Sequence, residues 1–275
     1  MAVRRRGPSL RDSESTLPVS EVLRDIARVG FAGAIVGILV AGIGGRLVMR
    51  LAAILQPDSA GALTEFGSRI GEITLSGSLG LLLTRLVGGL GAGTVWVVVS
   101  PWIPAVGLRR AILTMPVAIA LGGSFVIEGD NRDLLILQHD PVVITALIVL
   151  VALVALVGLS LSLVDDWLDR RLPNATSGRT GATWLYAIVA LLGAVLIFPI
   201  MVASYLFTDH QATVRIGLAL LVVGLSTLTW WVLRVRGRTR PPRTLRRVGR
   251  TAPLVAVVLG FVATIPEVSR ALGMT

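Results

Sequence analysis

The sequence of 275 residues contains no cysteine, no lysine and only two histidines. Without cysteine, a disulfide, an iron–sulfur cluster and a thiolate metal site are all excluded. Without lysine, a retinal or pyridoxal Schiff base and a Walker A phosphate site are excluded. His139 and His210 both fall in predicted loops, so haem ligated by histidine inside a membrane is excluded as well.

The common catalytic motifs are also missing. The sequence has neither a GxSxG nucleophile elbow nor an HExxH zinc motif, and it lacks the spaced aspartates of membrane alcohol phosphotransferases. No predicted membrane span contains a histidine that could serve as a base, and no inverted repeat indicates a transporter fold. We therefore expect a protein that is not an enzyme and that uses no cofactor and no metal ion.

Charge is scarce and apolar residues are abundant. Only 15% of the residues are charged, 54% are hydrophobic and the mean hydropathy is +0.81, whereas a soluble domain has about 25% charged residues. The apolar residues form long continuous runs rather than amphipathic patterns. This pattern predicts an all-α, polytopic bundle of transmembrane helices.

Seven apolar runs are close to the ~20 residues that a helix needs to cross the hydrocarbon. They lie at about 29–52, 76–99, 110–127, 141–164, 183–206, 212–233 and 251–268. Residues 1–28 form a basic tail with a short juxtamembrane helix, residues 29–268 form one transmembrane domain, and residues 269–275 form a short external tail. The last run is short and begins and ends near prolines, so a count of six to eight spans stays open.

All 26 basic residues are arginine, and their positions predict the orientation. Six lie in the N-terminal tail, and two, three and eight lie in the loops after spans two, four and six. The opposite side has four arginines and nine acidic residues. By the positive-inside rule, the N-terminus is cytoplasmic and the C-terminus is external.

The six tryptophans all lie at predicted cytoplasmic ends of spans. We interpret them as a one-sided interfacial belt, although such belts normally occupy both faces of a membrane. They are Trp96, Trp102, Trp167, Trp184, Trp230 and Trp231.

Small residues recur every four positions in the first two spans. The first stripe is Gly33, Gly37, Ala41 and Gly45, and the second is Ser76, Gly80, Thr84, Gly88 and Ala92. Such stripes let two helices approach closely in lipid, where no hydrophobic drive brings them together. We predict that spans one and two pack against each other, unless one stripe faces another span.

Three arginines in these two spans form the candidate site. Arg46 and Arg50 share a helix face near the outer boundary, where both side chains can reach water. Arg85 lies about 15 Å into span two at ~1.5 Å per residue, close to the midplane. An arginine there costs roughly 2.5–3.5 kcal/mol on insertion scales, so a carboxylate, carbonyl groups or a water cavity should face it.

Glu65 and Glu72 are the candidate carboxylates for this site. They reach Arg85 only if residues 60–74 dip back into the protein as a re-entrant or surface-lying segment. One hypothesis is an anion or lipid-phosphate site, because arginine matches phosphate bidentately. The alternative is a structural ion-pair network. A lipid-processing enzyme that uses the two glutamates is a third reading.

Two charged segments face the predicted cytoplasm. Asp165 and Asp169 share a helix face, but no third ligand follows, so they do not predict a metal site; Asp166 and Arg170 are spaced for an ion pair. The segment Arg234–Arg250 can bind anionic lipid headgroups, at ~1 kcal/mol per arginine, or simply fix the topology. Nucleic acid is excluded as a partner because no aromatic residues interleave with these arginines.

The segment Gly44-Gly45-Arg46-Leu47-Val48-Met49-Arg50, followed by Gly71-Glu72-Ile73-Thr74, resembles a group of multi-pass membrane proteins from bacteria with GC-rich genomes. The resemblance covers about residues 29–175. It implies a bacterial plasma (inner) membrane location, and the group has no assigned activity. It adds no chemistry to the residues themselves.

Our leading hypothesis is a structural or accessory membrane component, with membrane lipids and an unidentified membrane protein as partners. The alternative is a transporter or channel-like protein with an anionic ligand at Arg46, Arg50, Arg85 and Glu72.

Overall fold

A computed structural model describes residues 19–62, 70, 75–126, 140–173, 180–193, 199–200, 203 and 211–271. All regular structure in this part of the chain is helical, so the all-α prediction is confirmed. The seven helices are α1 (Val19–Leu55), α2 (Leu75–Val99), α3 (Gly107–Val126), α4 (Asp140–Arg171), α5 (Thr180–Leu192), α6 (Gln211–Val235) and α7 (Arg243–Ala271).

Five segments of the described chain are long and apolar enough to cross a membrane. They are Val19–Leu55, Leu79–Trp102, Pro141–Arg171, Val214–Val235 and Arg243–Pro266. The prediction of a multi-pass membrane protein is thereby confirmed. Helix α3 and the shorter apolar segment Thr183–Leu192 coincide with the predicted third and fifth spans but are not among these five, so the count of seven stays a prediction.

Helix α1 is continuous from Val19 to Leu55, so the predicted juxtamembrane helix and first span form one element. A π-helical segment, Gly37–Gly42, widens its middle. Such segments are rare, and they are frequent at functional sites. This one begins where Gly37 faces the carbonyl oxygen of Arg85 on α2.

The middle of α1 packs directly against the backbone of α2. A Cβ atom placed on Gly33 would overlap the carbonyl oxygen of Gly89, and one placed on Gly89 would lie 2.6 Å from the Cα of Gly37. A Cβ on Gly93 would lie 2.8 Å from the carbonyl oxygen of Val29. The predicted pairing of spans one and two is therefore confirmed, with glycine at the closest approach as expected in lipid. We call Gly33, Gly37, Gly89 and Gly93 the glycine contact.

The stripe predicted on the second span is wrong by one position. Gly80 and Gly88 face open space, whereas Gly89 and Gly93 face α1. The sequence carries small residues at both 88 and 89, but the row through 89 also contains Leu81 and Arg85, so four-residue spacing favoured the wrong row. Only the rotation of α2 about its axis decides between them, and spacing within one helix does not contain that information.

Glycine also allows α4 and α7 to pack closely against α3. A Cβ on Gly158 of α4 would lie 2.8 Å from the carbonyl oxygen of Thr114 on α3. A Cβ on Gly260 of α7 would overlap the carbonyl oxygen of Ala120, also on α3. Helix α3 therefore lies between α4 and α7, and α6 packs along α7 through Ile216 and Ala256.

One end of the bundle collects the start of α1, the end of α2, the start of α3, the ends of α4 and α6, and the start of α7. Contacts of Arg24, Trp96, Arg110, Asp165 and Arg234 fix five of these ends together. The start of α7 joins them through Leu245. We call this the basic end, because the N-terminal tail and the predicted arginine-rich loops all connect to it.

Candidate functional site

The structure brings part of the predicted arginine site together. Arg50 is exposed on α1 and Arg46 is half-buried on the same helix. The guanidinium of Arg85 reaches α1 beside Gly45, where a Cβ atom would lie 3.8 Å from both its Nε and Nη2 atoms. Arg46 and Arg85 each make at least one polar, ring or electrostatic interaction. Arg85 thus adjoins the Gly44-Gly45-Arg46 segment rather than standing alone in lipid.

The predicted carboxylates Glu65 and Glu72 lie outside the described residues. The residues that flank positions 63–69 are described, and they are hydrogen-bonded to each other. The N–H of Gly61 donates to the carbonyl of Ile70 at 2.9 Å, and the N–H of Ile70 donates to the carbonyl of Ala62 at the same distance. Ile70 is buried. Whether either glutamate faces Arg85 stays a prediction.

A larger charged site, which the sequence did not lead us to expect, lies at the basic end. It contains four arginines and four aspartates from α1, α3, α4 and α6, and the indole of one tryptophan from α2. We call it the basic-end cluster, and its members are Arg24, Asp25, Arg28, Trp96, Arg110, Asp165, Asp166, Asp169 and Arg234. Because its charges balance, it neutralises itself without a bound ion.

Asp165 on α4 is the centre of this cluster and is only 1% exposed. Its Oδ1 accepts a hydrogen bond from Nε of Arg28 at 2.7 Å, and its Oδ2 accepts one from Nε1 of Trp96 at 3.1 Å. Arg110 Nη2 lies 3.6 Å from Oδ2. One carboxylate therefore ties α4 to α1, α2 and α3, and a buried carboxylate needs such partners to stay ionised.

Arg28 and Arg110 each bridge two aspartates of α4. Arg28 Nη1 bonds to Oδ1 of Asp169, one helical turn after Asp165. Arg110 Nη1 donates to Asp166 at 3.3 Å, and its guanidinium also stacks over the ring of Trp96, 4.6 Å from the ring centroid. A cation over an indole face adds electrostatic attraction to the ion pairs.

Arg24 binds the end of α4 rather than a single carboxylate. Its Nη2 donates to the carbonyls of Asp169 at 2.8 Å and Leu172 at 3.2 Å, and its Nε donates to the carbonyl of Pro173 at 3.2 Å. The last carbonyls of a helix have no partner within it and carry its negative dipole end, so a buried cation there is well placed. The hydroxyl of Tyr186 also donates to the Pro173 carbonyl, which attaches α5.

Two tryptophans of the predicted interfacial belt lie in the protein interior instead. Trp96 is 2% exposed and bonds to Asp165. Trp102 is 5% exposed, and its Nε1 donates to Oγ1 of Thr227 at 2.8 Å. Thr227 in turn donates to the carbonyl of Val98. The belt interpretation is wrong for these two, whereas Trp167 and Trp184 are exposed as it requires.

A cavity of about 170 Å³ opens beside the cluster between α1, the end of α2, α3 and α6. We call it the basic-end cavity. Its polar lining comes from Asp25, Arg28, Ser100, Arg110, Trp231 and Arg234. Asp165, Asp166 and Asp169 are not among its lining residues; they pair with Arg28 and Arg110. The lining therefore has three guanidiniums against one carboxylate, although the whole cluster is neutral.

In the sequence, Asp165 and Asp169 share a helix face, and a metal ion was the only partner that we considered for this pair. Among the described residues, no group of three acidic or histidine side chains could hold a metal ion. Asp165 pairs with Arg28, Arg110 and Trp96, and Asp169 pairs with Arg24 and Arg28. Arg24 and Arg28 lie about 140 positions away and had been counted only as topogenic charges. The available signal was the pair of acids on one face of a span end, with no arginine on that same face.

No protein-family model, curated protein or solved structure matches this chain.

Proposed function

We propose that this chain is a seven-span protein of a bacterial plasma membrane, with its N-terminus in the cytoplasm and its C-terminus outside. Two features support this arrangement. Successive helices start and end alternately at the basic end, and the arginine-rich loops connect there. Arginine excess marks the cytoplasmic side.

We further propose a non-enzymatic structural or accessory role, and the balanced basic-end cluster carries this proposal. In the cluster, the buried carboxylate of Asp165 accepts hydrogen bonds from Arg28 on α1 and Trp96 on α2, and Arg24 bonds to the end of α4. Such an arrangement holds helices together.

The absence of cysteine allows a direct topology test. We expect Thr275→Cys to react with a membrane-impermeant maleimide added to intact cells, because the C-terminus is external. The matched variant Arg236→Cys, exposed just after the cytoplasmic end of α6, should react only after the cells are opened. Protection of position 275 together with labelling of position 236 would overturn the orientation.

A second candidate function is transport or binding of an anion or lipid phosphate at Arg46, Arg50, Arg85 and Glu72. The observation that favours it is the position of the Arg85 guanidinium beside Gly45, next to the π-helical segment of α1. The guanidinium of Arg85 thereby lies beside the residue that precedes Arg46 in α1.

Arg85→Leu separates the two functions. If Arg85 is structural, the variant should lose stability and recover it when its carboxylate partner is also neutralised, for example with Glu72→Gln. If the variant instead folds normally and loses binding of an anionic lipid, the site is functional. Arg215→Leu, at an exposed position near the start of α6 and outside this site, is the control for a general loss of charge.

A further inference from the structure

The basic-end cavity differs in charge from the cluster behind it. Three arginines and one aspartate line it, so the side chains that line it carry a net positive charge, although two of these arginines also pair with aspartates of α4. The low dielectric of the surrounding helices concentrates such a field inside a cleft. An anion is the ligand that this lining favours.

Two of the three arginines are already held in place. Nε of Arg28 and Nη2 of Arg110 face opposite oxygens of Asp165, at 2.7 and 3.6 Å. These contacts hold the two guanidiniums in the lining of the cavity. Donors fixed before a ligand arrives bind it with less loss of side-chain entropy.

The third arginine, Arg234, is the least constrained of the cluster. Its Nη1 atom lies 3.9 Å from Oδ2 of Asp25, and its guanidinium lies 5.9 Å from the ring centroid of Trp230. Its side chain is 31% exposed, against 15% for Arg28 and 17% for Arg110. A longer ion pair at the mouth of a cavity leaves Arg234 able to turn toward a ligand.

The size of the cavity suits one small anionic group. An apolar cavity of about 150 Å³ holds a benzene molecule, so 170 Å³ admits a group of phosphate size. Arginine binds phosphate through two parallel hydrogen bonds, which lysine does not match. Ser100, just after the end of α2, also lines the cavity.

We propose that the basic-end cavity binds a phosphate group through Arg28, Arg110 and Arg234. The group can belong to an anionic lipid of the adjacent leaflet or to free phosphate. This inference rests on the proposed function only for the side of the membrane that the cavity faces, and the maleimide labelling tests that side independently of binding.

The test measures binding to the full-length purified protein with two probes. Native mass spectrometry records adducts of phosphatidylglycerol, and calorimetric titration records binding of inorganic phosphate. For whichever probe binds, Arg234→Gln should weaken binding at least tenfold. Arg109→Gln removes the same charge from an exposed position at the basic end that does not line the cavity, and it should change binding less than twofold.

Binding of phosphatidylglycerol alone would identify a lipid headgroup, and binding of phosphate alone a soluble anion. Absence of binding with both probes, or equal losses in Arg234→Gln and Arg109→Gln, would overturn the proposal. Asp25→Asn provides a second criterion if Arg234→Gln does not fold. It removes the only carboxylate of the lining, so affinity should rise severalfold, and unchanged or weaker binding would contradict the site.

Discussion

Helix α1 is held to the bundle in two regions by opposite means. In its middle, the glycine contact brings backbone against backbone, with no charge involved. Near its start, Arg24 and Arg28 bind Asp165, Asp169 and the end of α4 across 137 to 149 positions of sequence. The first region requires that no side-chain atom lies between the two backbones. The second requires that each charged side chain keeps its oppositely charged partner.

The difference teaches how each region should fail. In lipid, apolar side chains gain little from leaving their surroundings, so close helix packing must come from shape. The glycine contact should therefore fail when any atom is added to it. A buried ion pair has the opposite weakness, because removing one partner leaves the other charge buried without compensation.

The largest effect is expected for Gly89→Leu. Already the first added carbon would lie 2.6 Å from the Cα of Gly37 and would overlap the carbonyl oxygen of Gly33, and neither backbone atom can turn away. Helices α1 and α2 must separate, so we expect loss of the monodisperse folded protein in size-exclusion chromatography after mild detergent extraction.

The adjacent residue provides the matched control. Gly88→Leu adds the same side chain to the same helix, but it points into open space. This variant should elute as the wild type does. If both variants lost the monodisperse folded protein equally, α2 would tolerate no leucine at this depth. The result would contradict a specific role of the glycine contact in holding α1 to α2.

The next largest effect is expected for Asp165→Asn. The change keeps the shape but removes the negative charge that Arg28 and Arg110 share. Breaking a buried pair from one side costs about 3–5 kcal/mol. We expect a clearly lower midpoint of thermal unfolding in detergent, with a smaller decrease for Asp166→Asn, whose side chain is more exposed and pairs with Arg110.

A smaller effect is expected for Thr227→Val. The hydroxyl accepts from Trp102 and donates to the carbonyl of Val98, so its removal leaves two buried polar groups without their bond. A typical hydrogen bond contributes a net ~0.5–1.5 kcal/mol, so losing both bonds should cost about 1–3 kcal/mol. Thr229→Val is the control, because the Thr229 hydroxyl is exposed and bonds only to its own helix. Comparable losses in the two variants would contradict an interior role for Trp102.

The smallest effect is expected for Asp169→Asn. This carboxylate is 52% exposed although it pairs with both Arg24 and Arg28. Ion pairs near water contribute about 0–1 kcal/mol and weaken with salt. We expect a slight decrease in the unfolding midpoint that shrinks further in 1 M salt, whereas the loss in Asp165→Asn should be nearly independent of salt.

The helical class and the pairing of the first two spans were predictable because both are local in sequence. Long apolar runs indicate membrane helices, and glycine every fourth position indicates a close helix contact. The face of α2 was missed because residues 88 and 89 are both glycine. Local spacing does not determine how a helix is rotated toward its neighbour.

The basic-end cluster was not predictable in the same way. Arg24 and Arg28 have ordinary positions for topogenic charges, and Asp165 has an ordinary position at the end of a span. Whether these residues pair depends on which helix ends lie together. The sequence of a single segment does not contain this information. Trp96 was misjudged for the same reason, because a tryptophan at a span end indicates an interface unless a buried carboxylate faces it.

The central claim is that Arg28 and Asp165 hold α1 to α4 as a coupled pair, and a double-mutant cycle measures this coupling directly. Unfolding midpoints and free energies would be compared for Arg28→Gln, Asp165→Asn and the combined variant. We predict that the combined loss is well below the sum of the single losses, because the second change removes a charge that the first left uncompensated. Additive losses would show that the two residues act independently and would contradict the account.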